Sequence, residues 1–138
     1  IVNGRAEMSP ELADEAMRQL RLRYLIAAQT AELYAQAGFA VVYQDVILGP
    51  VFRDVVDMFM ARQPTAVFVL CPAPEVVARR ELARVKKGYG AWTPEMLDHA
   101  LRAETPKLGY WLDNSSLSVD ETVDAILSRL HEAVPHAG

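Results

Sequence analysis

The sequence has little cysteine, no long hydrophobic run and no excess of positive charge, and each lack excludes a class of protein. Cys71 is the single cysteine in 138 residues, so no disulfide can form within the chain and a reducing, cytoplasmic location is expected. No apolar run approaches the roughly 18 residues that a bilayer crossing needs. With 14 basic and 18 acidic residues the net charge is −4, which disfavours nucleic acid and anionic membranes as partners.

The sequence also lacks an initiator methionine, because it begins at Ile1, and no signal-peptide pattern follows. We therefore expect that something before this residue has been removed, cut or left out. The hydrophobic share of 51% and the charged share of 23% are those of a globular chain and exclude a disordered one. A length of 138 residues is typical of one domain.

Short apolar runs alternate with segments of helical periodicity. The runs predict strands at residues 39–43, 65–70 and 108–112, and their lack of polar alternation is typical of a parallel sheet buried on both faces. A long helix is predicted from the start signal at Ser9 to the stop at Gly38, and a last helix from the capping box of Ser118 and Glu121. Further helices are predicted at residues 51–62, 76–85 and 94–103. This order favours an α/β fold with helices on both faces of a parallel sheet.

Ligand sites in open α/β sheets lie beyond the carboxyl ends of the strands. Asp45 follows the first predicted strand, where a carboxylate can hold magnesium through water or orient a reacting group, or can simply cap the following turn. Cys71 follows the second strand and is more typical of a small buried residue than of a nucleophile. Asp113 follows the third strand, where a turn-capping role is favoured over a catalytic one.

Basic residues concentrate after the second strand, at Arg79, Arg80, Arg84, Lys86 and Lys87. They are either the solvated end of a helix or an arginine-bearing lid that closes on phosphates. Arg80 and Arg84 are four residues apart and therefore share one helical face.

Arg102 lies near the end of another predicted helix, beside Glu104. These two residues form either a helix-end charge pair, which is the favoured interpretation, or a contact to the nucleotide side of a ligand.

Three stretches together resemble the P-loop small-molecule kinases, in particular the chloramphenicol phosphotransferase-like branch. The first runs from Gly38 to Gly49 and includes the strand end at Gln44 and Asp45; the second is the arginine-rich run at residues 79–88. The third is the strand at 108–112 with Asp113, followed by residues 119–123. The similarity extends from about residue 38 to about residue 130.

The resemblance implies a parallel three-layer α/β sheet of the P-loop kinase type and ATP-dependent phosphoryl transfer to a small-molecule hydroxyl. Asp45 would end the Walker-B-like strand and contact Mg²⁺ through water. Arg80 and Arg84 would match the lid arginines, with the lid at about residues 84–97, and Arg102 is a further candidate for nucleotide binding. The expected cofactors of the intact protein are ATP and Mg²⁺, and a homodimer is left open.

The phosphate-binding motif of that family, Gly-x-x-x-x-Gly-Lys-[Ser/Thr], is absent, and the sequence has no Gly-Lys dipeptide. We therefore expect residues 1–138 to be one partial kinase-like domain that lacks an N-terminal strand–loop–helix–strand unit of ~30–40 residues. That unit would also carry the family's general base, so the chain alone should be inactive. The alternative is a non-catalytic fragment or pseudokinase that serves as a binding module.

Overall fold

The computed structural model describes residues 14–83 and 92–135, which combine helices with a small parallel sheet. The helices are α1 (Asp14–Gln36), α2 (Val51–Met60), α3 (Pro74–Leu82), α4 (Pro94–His99) and α5 (Val119–Ser128). One π-helical turn, Ala100–Glu104, continues α4, and a short 3₁₀ turn, Leu130–Glu132, follows α5. The strands are β1 (Phe68–Leu70) and β2 (Tyr110–Leu112). The α/β class is thereby confirmed at this coarse level. None of the helices in the described ranges has the length and apolar character that crossing a membrane would require.

The chain divides into two compact units, and the first contains residues 14–45 and 57–64 of the described chain. Helix α1 buries Tyr24, Ala28 and Ala31, whose spacing of four and three residues places them on one helical face. The predicted start of this helix at Ser9 lies outside the described residues. Its predicted end is confirmed, because Gly38 adopts a φ of +89°, a left-handed conformation that favours glycine at this position.

The prediction of a buried strand at residues 39–43 is wrong. These residues are irregular, and the side chains of Phe39 and Val42 are 62% and 93% exposed. The Phe39 N–H donates to the Tyr34 carbonyl, but residues 40–43 form no backbone hydrogen bond with the described chain. An apolar, β-branched run becomes a strand only when a neighbouring strand pairs with its backbone, and the described residues supply none here.

The second unit contains residues 46–56, 65–83 and 92–135 of the described chain and holds the sheet. Strands β1 and β2 pair in parallel, with Val69 opposite Trp111, which confirms two of the three predicted strands at shorter length. The chain enters β2 through Gly109, which has a φ of +72° and lies so close to Val67 that a Cβ would meet the Val67 carbonyl oxygen at 2.3 Å. Glycine is therefore required where the two segments first meet.

Local signals set the helix starts in the second unit. The Thr93 hydroxyl accepts the N–H of Met96 at the start of α4. The predicted capping box of α5 is confirmed, because the Ser118 hydroxyl accepts the Glu121 N–H and the Glu121 carboxylate accepts the Ser118 N–H. Four apolar side chains of α5 and of the 3₁₀ turn after it are exposed in this structure: Val119, Val123, Leu127 and Leu130.

Candidate functional site

Polar groups converge where β1 and β2 end, at the carboxyl edge of the parallel pair. We call this group the sheet-edge cluster, and its members are Cys71, Arg80, Arg102, Asp113, Asn114 and Ser115. The Cys71 N–H donates to the Leu112 carbonyl at 2.9 Å, so pairing continues one residue beyond the strands and brings both strand ends together. Ala73 then donates its N–H to the Ser115 hydroxyl at 2.8 Å, which joins the two loops that follow.

Arg80 reaches this edge from α3. Its guanidinium donates to the carbonyl of Asn114 at 3.0 Å and to that of Leu117 at 3.5 Å. Within the described residues, no carboxylate lies within ion-pair distance of Arg80. The side chain is thus fixed through neutral acceptors, and its positive charge is not neutralised by this part of the chain.

Arg102 reaches the same edge from the π-helical turn. It forms an ion pair of 2.7 Å with Asp98 and donates to the carbonyls of Cys71 and Pro72 at 3.1 and 3.3 Å. The hydrogen bond with Asp98 raises the pKa of Arg102 above its ordinary value, so the guanidinium stays charged. The predicted charge pair between Arg102 and Glu104 is not formed, because Arg102 pairs with Asp98 and Glu104 lies 3.8 Å from His99.

Two further members of the cluster have structural roles, as the sequence predicts. The Asp113 carboxylate accepts the N–H and the hydroxyl of Ser115, which forms a turn and lowers the pKa of Asp113. Cys71 is 6% exposed, and burial raises the pKa of its thiol, which disfavours the nucleophilic thiolate.

Asp45 belongs to the first unit, where it accepts two hydrogen bonds. The Arg23 guanidinium donates to its Oδ2 at 2.5 Å and the Tyr43 hydroxyl donates to the same oxygen at 2.7 Å. Burial, followed by the hydrogen bond to Asp45, raises the pKa of Tyr43, so this phenol remains a donor at neutral pH. Arg23 also lies 5.3 Å from the ring centre of the buried Tyr24.

These surroundings do not fit a resident magnesium ion at Asp45. Magnesium takes six oxygen ligands, usually waters, carboxylates and substrate phosphates. In residues 14–83 and 92–135 no group of three His, Cys, Asp or Glu side chains is placed to hold a metal. Moreover, Oδ2 of Asp45 already accepts hydrogen bonds from Arg23 and Tyr43. The predicted contact of Asp45 with Mg²⁺ through water stays a prediction.

A groove of about 310 Å³ lies beside Asp45 in the first unit. It is formed by one face of α1, including Ala27 and Tyr34, and by Val41, Val42 and Tyr43. Tyr43 belongs to both features, because it lines the groove and its hydroxyl donates to Asp45. The lining is mainly apolar and includes the hydroxyl-bearing residues Thr30, Tyr34 and Tyr43.

The structure brings Arg80 and Arg102 to the sheet-edge cluster and places Asp45 with Arg23. Arg84 lies outside the described residues, as does most of the predicted lid. Sequence reasoning missed Arg23, which lies 22 residues from Asp45 and carries no local signal that links the two. It also gave no role to Asn114, although this residue's place directly after the strand end could have marked it.

No protein-family model, curated protein or solved structure matches this chain. Its function therefore rests on the residues and the geometry described above.

Proposed function

We propose that this chain is part of an ATP-dependent phosphotransferase that transfers phosphate to a hydroxyl group of a small molecule. In this proposal the second unit supplies the phosphate-binding arginines, and the first unit, described by itself, contains a groove and the Asp45 carboxylate. The Gly-x-x-x-x-Gly-Lys-[Ser/Thr] loop and the rest of a larger parallel sheet of the P-loop kinase type would have to come from outside these 138 residues.

The observation that carries the proposal is the pair of guanidinium groups, Arg80 and Arg102, at the carboxyl edge of a parallel strand pair. This edge is where ligands bind in open α/β folds. Guanidinium groups match the geometry of phosphate oxygens and keep their charge. Backbone carbonyls already hold both side chains there, and Asp98 also pairs with Arg102, so little conformational entropy remains to be lost when phosphate binds.

The reaction requires positioning and charge stabilisation more than covalent chemistry. The acceptor oxygen forms a bond to the γ-phosphorus while the bond from that phosphorus to the β-phosphate bridging oxygen breaks, and ADP leaves with the electron pair. The hydroxyl proton passes to a base supplied with the missing segment or to solvent. Arg80 and Arg102 would offset the negative charge of the phosphates, and magnesium would enter as part of the Mg-ATP substrate.

The groove of the first unit suits the acceptor. Its volume lies at the lower end of the range for small-molecule sites, and its lining is apolar with few polar groups, as in such sites generally. Its polar groups come from Thr30, Tyr34 and Tyr43, and the Tyr43 hydroxyl is held by Asp45.

The exposed segment at residues 39–43 supports the missing-segment part of the proposal. It keeps the composition of a buried strand, yet Val42 is 93% exposed and the backbone of residues 40–43 is unpaired within the described chain. A strand added beside this segment would satisfy its backbone groups and cover its side chains.

Nucleotide binding by the protein expressed from its complete reading frame tests the proposal. Mg-ATP binding should raise its free energy of unfolding by RT ln(1 + [L]/Kd), which is about 2.7 kcal/mol at a hundredfold excess over Kd. For residues 1–138 alone, Mg-ATP should leave the free energy of unfolding unchanged. Arg80→Ala should weaken Mg-ATP binding at least about tenfold, because it removes a charged phosphate contact. Arg79→Ala is the matched control: it removes the neighbouring arginine, whose side chain has no hydrogen bond or ion pair with the described residues.

A non-catalytic binding module is the second candidate, and the absence of any Gly-Lys dipeptide is the observation that favours it. Either of two results would favour the binding module over the phosphotransferase. One is a complete reading frame that lacks the phosphate-binding motif, and the other is a full-length protein whose stability does not change when Mg-ATP is added. If Arg79→Ala and Arg80→Ala weaken Mg-ATP binding equally, the assignment of Arg80 as a specific phosphate contact is wrong.

A further inference from the structure

Thr105 closes the π-helical turn that carries Arg102. The residue is 5% exposed, and its hydroxyl donates to the Ala100 carbonyl at 2.9 Å, so this bond spans the whole turn. The same hydroxyl oxygen accepts the N–H of Gly49 at 2.8 Å. One buried hydroxyl therefore joins the π-helical turn to the segment just before α2, and it serves both as donor and as acceptor.

The need for this hydroxyl follows from the sequence at the end of the turn. Pro106 disfavours a helical conformation at the residue before it, and Thr105 is accordingly extended, with a φ of −88° and a ψ of 128°. The carbonyls in the last turn of a helix lack partners within the helix, and the Thr105 hydroxyl supplies one to Ala100. It also supplies an acceptor to the N–H of Gly49, a buried residue. Both backbone groups would lose this partner if the hydroxyl were removed.

Arg102 lies at the centre of the turn, and only part of its guanidinium is used by the protein. Its Nε donates to Asp98, and its Nη2 donates to the carbonyls of Cys71 and Pro72. Among the described residues, none accepts a hydrogen bond from Nη1. The side chain is 44% exposed, so a ligand can reach it. The two N–H groups of Nη1 therefore remain for phosphate oxygens, which guanidinium groups bind well.

We propose that Thr105 is a positioning residue, which fixes the π-helical turn so that Nη1 of Arg102 is presented to the phosphates of the nucleotide. This inference rests on the proposed function and adds to it a residue that does not itself touch the ligand. A guanidinium that is already in place loses less conformational freedom when it binds, so the affinity for phosphate is higher. Without the Thr105 hydroxyl, the turn gains other conformations and this advantage is lost.

Calorimetric titration with Mg-ATP, on the protein expressed from its complete reading frame, tests the proposal. Thr105→Val, which exchanges only the hydroxyl for a methyl group, should weaken Mg-ATP binding about fivefold, as expected for one lost hydrogen bond. Arg102→Ala should weaken it about tenfold. In the Arg102→Ala background, Thr105→Val should change the affinity by less than about twofold, because the side chain that Thr105 positions is gone. Thr105→Ser keeps the hydroxyl and should bind within about twofold of wild type.

Thr122→Val is the matched control for the loss of a buried threonine hydroxyl. Thr122 is 7% exposed, lies in α5 and donates to the Ser118 carbonyl at 2.7 Å, and its contact from Asn114 is long, at 3.5 Å. This variant should also be destabilised, but its affinity for Mg-ATP should stay within about twofold of wild type.

Amide exchange gives a second measurement should Thr105→Val fail to fold. Coupling between two sites is reciprocal, so a turn that favours phosphate binding is itself stabilised by it. Saturating Mg-ATP should slow exchange of the Gly49 N–H, relative to that of the Glu121 N–H, about fivefold in the wild type. In Arg102→Ala this difference should vanish, and an equal effect in both proteins would overturn the proposal.

The outcomes separate the role of Thr105 from the function it rests on. If the wild type binds Mg-ATP and Thr105→Val binds it equally well, the positioning role is overturned while the phosphotransferase proposal stands. The same holds if Thr105→Val loses as much affinity without Arg102 as with it, or if Thr105→Ser or Thr122→Val loses as much as Thr105→Val. If the wild type does not bind Mg-ATP, both proposals fall.

Discussion

The hydroxyl of Tyr43 lies 2.7 Å from Oδ2 of Asp45, and the phenol donates to the carboxylate. The same oxygen accepts a hydrogen bond from Arg23, so one carboxylate ties helix α1 to the irregular segment that follows it. Without regular backbone pairing at residues 40–43, side-chain contacts such as this one, and the stacking of Tyr43 on Phe59, hold the segment in place.

Tyr43→Phe should lower the free energy of unfolding by about 1 kcal/mol at neutral pH, because it removes this hydrogen bond but keeps the ring. Its effect should shrink at alkaline pH. The pKa of Tyr43 is raised from the ordinary value of 10.0, so its contribution is complete below pH 10 and is lost as the pH rises toward the higher folded-state pKa. Urea unfolding across the alkaline range measures both effects. Tyr34→Phe, the same change at an exposed tyrosine of α1, is the control. A difference in unfolding free energy between wild type and Tyr43→Phe that grows with pH would contradict the prediction.

Asp45→Asn should separate stability from activity in the protein expressed from its complete reading frame. Asparagine keeps an acceptor oxygen, and the Arg23 side chain of the pair is 57% exposed, so the loss in unfolding free energy should stay at about 1 kcal/mol. The rate of ADP formation in the presence of an acceptor should fall at least about a hundredfold if the carboxylate positions a reacting group. Asp54→Asn, at an exposed acidic residue of α2, supplies the control. Turnover close to wild type would show that Asp45 has only a structural role.

Two glycines with positive φ should respond differently to alanine. Gly109→Ala places a Cβ 2.3 Å from the Val67 carbonyl oxygen, so it should cost more than about 2 kcal/mol and disturb the pairing of β1 with β2. Gly38→Ala meets no atom within 4 Å and should cost only the conformational penalty of about 1 kcal/mol. Denaturant midpoints compare the two variants directly. Equal losses would mean that backbone conformation alone, and not the approach to Val67, requires glycine at position 109.

Ser118→Ala should destabilise α5 by about 1 kcal/mol, because the hydroxyl that accepts the Glu121 N–H is lost. The change in unfolding free energy measures this, and Ser116→Ala, two residues earlier and exposed, should change it by less than about 0.5 kcal/mol. Similar effects at the two serines would show that the capping box contributes little to this helix.

The features that were predicted correctly depend on residues close together in sequence. The capping box of Ser118 and Glu121, the stop at Gly38 and the start at Thr93 each act within a few residues, so pattern alone identifies them. The segment at residues 39–43 was predicted wrongly because a strand depends on its neighbours as well as on its own composition.

The same limit applies to the candidate sites, because their contacts join residues that are far apart in the sequence. Arg23 and Asp45 are 22 residues apart, and Arg80 and Asn114 are 34 residues apart. Position after a strand end predicted Asp113 as a turn residue, but no local pattern showed that Arg80 would contact the loop beside it.

Two valines give the sharpest test of how residues 39–43 are covered. Val42 is 93% exposed and Val55 is 3% exposed, so in residues 1–138 alone Val42→Ala should change the unfolding free energy by less than about 0.5 kcal/mol. Val55→Ala, the same chemical change at a buried site, should cost about 2 kcal/mol. In the protein expressed from its complete reading frame, Val42→Ala should also cost about 2 kcal/mol, because a strand paired beside residues 39–43 would bury this side chain. A negligible cost in both forms would show that no strand covers Val42 in either, and would remove the support that residues 39–43 give to the proposal of a neighbouring strand.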